Sequence, residues 1–80
     1  MISGVENLYI MPNPNQGMFE VKFDKPYLGQ SLIIMDIMGR IVKEISLAEE
    51  KEILINANGL LQGLYMLKVS NGPTAKMMVK

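Results

Sequence analysis

The side chains that could perform chemistry are few and stand apart in this chain of 80 residues. The sequence contains no Cys and no His, and its eight acidic residues include one adjacent pair, Glu49 and Glu50. Without thiolate or imidazole groups, zinc sites, cysteine nucleophiles, disulfides and the usual general base are excluded. Asp36 has no second acid or base beside it, which argues against catalysis or metal binding there. We therefore expect no enzyme, no metal site and no cofactor.

Two further kinds of ligand chemistry are weakly supported. The eight Met residues would offer thioethers alone to a soft metal, and flexible Met side chains more often fill irregular spaces in a core. Trp is absent, so we expect that Tyr9 and Tyr27 are the aromatic residues that could face outward. Two tyrosines make a poor platform for a sugar ring, so carbohydrate binding is a minor alternative.

The charge pattern argues against nucleic acid and against a membrane span. Eight basic and eight acidic residues give no net charge, and the lysines are scattered singly, whereas a phosphate backbone requires a basic face. The longest apolar runs, such as residues 32–35, have four residues, far fewer than the ~20 of a membrane-spanning helix. Residues 1–5 lack the basic and apolar parts of a secretory signal. If the protein is exported, we expect these residues to belong to a longer chain.

Turn-forming residues recur about every ten positions, a spacing typical of a sandwich or barrel of short strands. Between the turns apolar and polar residues alternate, which predicts strands with one buried face. Five strands follow, with these inward residues: Leu8, Ile10, Phe19, Val21, Phe23, Leu32, Ile34, Ile53, Ile55, Tyr65, Leu67 and Val69. Residues 41–47 and 75–79 bring the set to seven. The pattern predicts an all-β fold, a small antiparallel β-sandwich of about seven strands.

Three local features leave alternatives open. The alternation breaks at Ile41-Val42 and at Met77-Met78, and both breaks predict β-bulges. Residues 46–52 fit a helix capping box, yet a helix there would carry charges along its buried stripe. That segment is either a helical turn or a strand connection, and the strand connection is favoured.

The turn residues predict particular local structures. Pro12-Asn13-Pro14 predicts a stiff corner after the first strand, and Gly17 a positive φ before the second. Residues 36–39, from Asp36 to Gly39, predict a type I turn that joins strands three and four, with Arg40 in reach of Asp36.

Near the end of the chain, Gly63 predicts either a bulge or a close backbone approach at the start of a strand. Tyr65 is expected to point inward with its hydroxyl bonded at the rim. Asn71-Gly72 is a strong hairpin signal, so the last two strands should pair.

In this order, and followed by Lys76 and Lys80 at the end of the sequence, the motifs resemble a known family. The residues that carry the resemblance are Pro12, Asn13, Pro14, Gly17, Asp36, Gly39, Arg40, Gly63, Tyr65, Lys76 and Lys80. They are similar to the motifs of the type IX secretion C-terminal sorting domain of Bacteroidetes. The resemblance covers residues 8–80. Departures are small: Met11 stands where the family often has Tyr, and Leu61 where it often has Pro.

The resemblance implies a fold, a route and partners. The fold would be an immunoglobulin-like sandwich of seven strands, and the domain would be the address of a larger secreted protein. That protein would pass through the periplasm and the outer-membrane type IX translocon to the cell surface or the extracellular space. Surface sortase machinery would attach or release the cargo domain, which precedes residues 8–80 in the same parent chain. Residues 1–7 would be the remainder of a linker, with cleavage before Leu8.

The resemblance also implies that the last two strands are the recognition surface. A terminal edge strand presents unpaired backbone groups, while Lys76 and Lys80 discourage casual pairing. Two other functions stay open: a structural sandwich, or a carbohydrate- or protein-binding module of a secreted enzyme. Only sorting requires these strands to end the chain, as they do here. A weak homodimer through an edge strand stays open too.

Overall fold

The computed structural model describes residues 8–57 and 59–80, which form seven β-strands. In chain order these are β1 Leu8–Met11, β2 Met18–Phe23, β3 Ser31–Asp36, β4 Ile41–Ser46, β5 Glu52–Asn56, β6 Gly63–Val69 and β7 Thr74–Val79. The predicted linker at residues 1–7, with its cleavage position, lies outside the described residues.

The strands form two antiparallel sheets that face each other. One sheet has the order β1-β2-β5 and the other β4-β3-β6-β7, and buried side chains from both make a single core. The predicted all-β sandwich is confirmed. The strand arrangement is that of an immunoglobulin-like fold, and β6 corresponds to the sixth strand of that fold. None of the described segments forms a helix long and apolar enough to cross a membrane.

Alternation of apolar and polar residues builds this core, as the sequence predicts. Phe19 and Val21 on β2, Leu32 and Ile34 on β3 and Leu67 on β6 are all buried. Of the predicted inward set, Ile10 and Ile53 are partly buried and pack against the core. The alternation therefore identifies which face of each of these strands is inward.

Tyr27 corrects the expectation of two outward tyrosines. Tyr9 is 54% exposed, but Tyr27 is 4% exposed. The ring of Tyr27 contacts Phe23 edge to face at 5.9 Å, and its hydroxyl donates to Asp24 Oδ1 at 2.7 Å. A loop tyrosine after Pro26 thus enlarges the core. With Tyr27 buried, carbohydrate binding is supported even less than the sequence indicated.

The predicted bulge at Ile41-Val42 is confirmed. The β3–β4 register shifts there, since Ile34 pairs with Lys43 and the next residue, Met35, pairs with Ile41. The predicted bulge at Met77-Met78 is wrong, because the β6–β7 register is continuous from Gly63↔Val79 to Lys68↔Thr74. The break in alternation there arises because Met78 is an outward apolar residue on a regular strand.

Residues 46–52 form a strand connection, and the helical alternative is wrong. Leu47 is buried in the core, and its N–H donates to the carbonyl of Gln30 at 2.8 Å. Gly29 N–H donates in turn to the Leu47 carbonyl at 3.3 Å. These bonds hold the backbone of Leu47 against the β2–β3 loop, which a helical turn would not allow.

The hairpin between β6 and β7 is confirmed. Gly72 suits this turn because it has no side chain, and not because it adopts a special backbone conformation. Gly72 N–H donates to the Val69 carbonyl at 3.0 Å, and Gly72 is not among the glycines with positive φ. A Cβ at this position would lie 3.0 Å from the Tyr27 ring and 3.1 Å from the Val69 side chain. Gly72 therefore lets the turn pack against the buried tyrosine.

Candidate recognition site

The 12–17 loop lies along the outer edge of β7 and hydrogen-bonds to it. The Asn13 side-chain amide donates from Nδ2 to the Lys76 carbonyl at 3.1 Å, and its Oδ1 accepts from Met78 N–H at 3.0 Å. Asn15 N–H donates to the Met78 carbonyl at 3.0 Å, and Lys80 N–H donates to the Asn15 carbonyl at 2.8 Å. An amide side chain and a backbone segment thus act together as a short extra strand, with a parallel bridge between Asn15 and Val79.

Asn15 organises this loop, and sequence reasoning missed it. Its side chain is buried, at 4% exposure, and both of its polar atoms are bonded. Nδ2 donates to the Pro12 carbonyl at 3.0 Å, while Oδ1 accepts from Gly17 N–H at 2.9 Å. The second bond is an Asx turn, and an Asn two residues before a Gly is a sequence signal for that turn. Gly17 has a φ of 102°, which confirms the predicted positive φ.

The idea that the terminal edge presents unpaired backbone groups needs correction. β7 does lie at the edge of its sheet, but the 12–17 loop occupies the Lys76 carbonyl, both polar groups of Met78 and the Lys80 N–H. Backbone groups in an exposed edge would otherwise template pairing with another chain. Here the chain covers most of that edge with its own loop, so the surface around β7 consists chiefly of side chains.

The β3–β4 turn is built around the Asp36 carboxylate. Oδ1 accepts from the N–H groups of Met38 at 2.9 Å and Arg40 at 3.0 Å, and Oδ2 accepts from Arg40 Nε at 2.9 Å. Gly39 N–H donates to the Asp36 carbonyl at 3.0 Å, and Gly39 has a φ of 84°. The predicted turn and the Asp36–Arg40 pair are both confirmed.

This environment lowers the pKa of the Asp36 carboxyl. The largest cause is the hydrogen bond from the Arg40 backbone N–H, opposed by burial and supported by the Arg40 side chain, the Met38 N–H and the Arg40 charge. Hydrogen bonds to the ionised form favour it. The carboxylate is therefore occupied in holding the turn and is not poised for proton transfer.

Tyr65 anchors the loop that precedes β6. Its ring is in the core, and its hydroxyl donates to the Leu61 carbonyl at 2.6 Å, as predicted for a tyrosine with its polar end at the rim. The geometry is that of the tyrosine corner at the start of the sixth strand of immunoglobulin-like domains. A tyrosine in this position ties the loop to the sheet that carries β7.

Glycine is required at position 63 because of the backbone conformation there, and not because neighbouring atoms leave no room for a side chain. Its φ is 153°, a value that L residues with a side chain rarely adopt. A Cβ there would meet nothing within 4 Å, and Gly63 pairs in register with Val79. Both predicted explanations, a bulge and a close backbone approach, are therefore wrong.

The motif residues come together in two groups on either side of β7. The loop group contains Pro12, Asn13, Pro14 and Gly17, with Lys80 bonded to it through Asn15. The turn group contains Asp36, Gly39, Arg40, Gly63 and Tyr65, and Asp36 and Tyr65 are partners across β3 and β6. Lys76 joins the two groups. Its carbonyl accepts from Asn13, and its side chain lines a cleft with Asp36, Gly39 and Tyr65.

Most polar groups of the site already have partners within the chain. Among the residues the structure describes, no three carboxylates or other candidate metal ligands cluster. The polar groups of the 12–17 loop and of the β3–β4 turn are engaged in holding backbone. What the site offers to a partner is the exposed side chains of Lys76 and Lys80 and the apolar residues beside them.

Comparison with known proteins identifies the family. The family profile described as "Secretion system C-terminal sorting domain" matches residues 9–80, which is nearly the whole chain. No curated protein matches the sequence. The matched region contains all seven strands apart from the first residue of β1. The chain belongs to the secretion system C-terminal sorting domain family.

Proposed function

We propose that the export machinery recognises this domain in its folded state, through a surface made by β6, β7 and the 12–17 loop. As a family member, the domain is the C-terminal signal for type IX secretion, which delivers proteins to the cell surface or the extracellular space. The family consists of sorting signals and not of catalysts. The step beyond the family assignment is the location of the recognition surface and the state in which it is read.

The observation that carries the proposal is the hydrogen bonding between Asn13 and β7. The bonded residues are separated by 63 and 65 positions in the sequence. The first and last sorting motifs therefore become neighbours only when the sandwich has folded. A receptor that reads both motifs at once selects folded domains over unfolded chains, because an unfolded chain seldom brings such distant residues together.

The remaining partners follow from the same proposal. A cargo domain precedes the sorting domain in the parent chain, with residues 1–7 as the remainder of the linker between them and cleavage before Leu8. The translocon contacts Lys76 and Lys80, and the surface sortase machinery then attaches or releases the cargo. Lys76 and Lys80 are both exposed, which supports their availability to a receptor.

A reporter protein tests the sorting function directly. The reporter carries a periplasmic signal sequence at its front and residues 5–80 at its end, and it is expressed in a Bacteroidetes host with and without the type IX translocon. We expect the reporter outside the cell only when the translocon is present. Retention in the periplasm of both hosts would contradict sorting and leave a structural or ligand-binding module.

Charge reversal tests the proposed surface. The double variant Lys76→Glu and Lys80→Glu should stop export of the reporter while its circular dichroism and thermal midpoint stay close to those of the parent, because exposed substitutions seldom change stability by more than about 0.5 kcal/mol. The matched control is Lys51→Glu, an exposed lysine before β5, which should leave export unchanged. Export of the double variant at the parental level would refute the role of β7.

A further inference from the structure

The outward face formed by β3, β6 and β7 in the four-stranded sheet carries a surface that is both apolar and basic. Because the buried residues alternate along β3, β6 and β7, the residues between them point away from the core. We call this surface the β6–β7 face; it consists of Ile33, Met35, Leu64, Met66, Lys68, Lys76 and Met78. Register places Met35, Met66 and Lys76 in one row across the three strands, with Leu64 and Met78 in the row beside it.

The apolar part of this face is accessible and encloses a cleft. Leu64 and Met78 are each 42% exposed although they lie on regular strands. A cleft of about 260 Å³ opens beside Leu64, and Met35, Ile37, Leu64, Tyr65 and Met66 supply its apolar lining. Contiguous exposed apolar surface on a small domain commonly marks a site of interaction. The methionines add to this, because their flexible side chains adapt to different apolar partners.

Both charged residues of the β6–β7 face are basic, and the acidic residue Glu44 of β4 lies on the same side of the sheet, across Ile33 from Lys68. Lys68 and Lys76 are exposed, and neither takes part in the two ion pairs of the described residues, Lys22–Glu52 and Asp36–Arg40. The outward positions of β3, β6 and β7 carry no acidic residue. Asp36 lines the cleft, but Arg40 and the turn amides already bond its carboxylate.

The opposite sheet provides an internal contrast. Its outward positions on β2 and β5 include Glu20, Lys22 and Glu52, so both signs of charge are present, and Lys22 lies 3.9 Å from Glu52. That sheet also exposes large apolar residues, Tyr9, Met18 and Leu54, so the contrast between the two faces lies in the sign of their charges. On the β6–β7 face, Lys76 lies in the row of Met35 and Met66, which has no acidic residue and excludes Glu44, so a partner with negative charge would complement it.

We propose that the β6–β7 face binds an acidic peptide segment of the partner, which places one apolar side chain in the cleft and a carboxylate against the Lys76 ammonium group. This inference deepens the proposed function and rests on it, since it specifies the chemistry that a receptor for this surface must have. The cleft lies below the roughly 300–1,000 Å³ of pockets for drug-sized ligands, which suits a side chain. A lipid surface is disfavoured, because basic clusters that bind anionic lipid have about four to eight Lys or Arg and this face has two.

Methyl NMR of the protein labelled on its methionines tests the inference. The probe is a short synthetic peptide in which Glu alternates with Leu, and the comparison peptide has Lys in place of Glu. We expect the Glu peptide to shift the methyl signals of Met35, Met66 and Met78 saturably. The signals of Met11 and Met18 serve as the internal control, because both belong to the other sheet.

Variants separate the charge from the cleft. Lys76→Glu should weaken the Glu peptide about tenfold, which corresponds to losing about 1.4 kcal/mol, while Lys51→Glu should leave its affinity unchanged. Lys68→Glu, on the same face but in the row beyond Met66, should weaken it by less. Because the methyl spectrum of each free variant reports its folding, a variant that does not fold is recognised before titration, and Lys76→Gln then replaces Lys76→Glu.

Four outcomes would overturn the inference. These are no saturable shift, equal shifts at Met11 and Met18, equal affinity for the Lys peptide, or a response to phosphatidylglycerol vesicles in place of the Glu peptide. The last result would identify a membrane surface as the ligand. The assay contains no translocon, so absence of peptide binding with intact reporter export overturns this inference alone. Retention of the reporter in both hosts overturns the proposed function whatever the peptide does.

Discussion

The two edges of the four-stranded sheet are protected in different ways. At the β7 edge, four hydrogen bonds join the Asn13 side chain and the Asn15 backbone to residues 76, 78 and 80. At the β4 edge, no described residue continues the sheet beyond the strand. Instead, β4 has a register shift at Ile41–Lys43 and charged residues, Lys43 and Glu44, at its middle. Bulges and charges are common ways in which an open edge avoids pairing.

The two edges differ in the kind of contact that protects them: β7 is covered by specific long-range contacts, whereas β4 is protected by local features alone. Avoidance of pairing at β4 needs only local sequence: a bulge, a lysine and a glutamate. The β7 edge needs a loop that comes from the other end of the sequence and fits the strand at fixed distances. Eight of the eleven motif residues of the family resemblance lie in that loop, on β6 or β7, or directly after β7, and the other three, Asp36, Gly39 and Arg40, form the β3–β4 turn. We infer that the β7 side, which carries most of the motif residues, is specified for recognition, while strand β4 itself, which carries none, is only protected.

Removing the Asn15 side chain, which shapes the 12–17 loop, should have the largest effect at the β7 edge. Asn15→Ala deletes the bonds to the Pro12 carbonyl and from Gly17 N–H, and a buried group left without its partner costs about 1 to 3 kcal/mol. Urea denaturation should measure a loss of that size. The matched control is Asn56→Ala, an exposed residue on β5, which should change stability by less than about 0.5 kcal/mol. Equal losses in the two variants would mean that the loop does not hold the β7 edge.

The second prediction perturbs the β4 side. Gly39 has a φ of 84°, and a Cβ there would meet nothing within 4 Å, so Gly39→Ala introduces backbone strain without a steric clash. We expect a loss of about 1 to 2 kcal/mol, the cost of a left-handed conformation for an L residue. Gly39→Asn should lose less, because Asn tolerates that conformation. We expect the two edges to respond independently, so hydrogen exchange should quicken along β4 and remain slow at the Met78 amide. Faster exchange at both edges would contradict that expectation.

The strands were predictable from sequence because their physical cause is local. Alternation at Phe19, Val21 and Phe23 places those side chains in the core whatever the rest of the chain does. The Asp36 turn was also predictable, since its bonds span at most four residues. In these cases a short window of sequence contains the whole interaction.

The features that sequence did not reveal depend on distant partners. Tyr27 follows a Pro in a loop and gave no periodic signal, yet it is buried because Gly72, 45 positions later, leaves room for its ring. The hairpin at Asn71-Gly72 was therefore predicted correctly for an incomplete reason. Asn13 was expected at a stiff corner, but its side-chain amide hydrogen-bonds to the backbone of β7 as a neighbouring strand would. No local sequence pattern predicts such a contact.

Single backbone amides of the β7 edge should respond differently to loss of the Asn13 side chain. Asn13→Ala removes the acceptor of the Met78 N–H, while the Lys80 N–H keeps its bond to the Asn15 carbonyl. Hydrogen exchange should accelerate at Met78 and change little at Lys80, with a global loss of about 0.5 to 1.5 kcal/mol because water replaces the exposed amide. Acceleration at both amides would show that the loop is released as a unit. No acceleration at Met78 would show that Asn13 does not cap the edge in solution.

The smallest effect is expected from the Asp36 carboxylate, because its contribution is local to the β3–β4 turn. The Arg40 N–H and the other groups around it lower the pKa of Asp36 in the folded state, so the ionised form stabilises the fold. That contribution is fully present above the pKa of an unfolded Asp, at about 4, and is lost as pH falls through the lower folded value. Parent and Asp36→Asn should therefore differ in urea stability at neutral pH and converge in acid. A difference that persists unchanged in acid would mean that the carboxylate charge contributes nothing, and that hydrogen-bond geometry alone holds the turn at the β4 side.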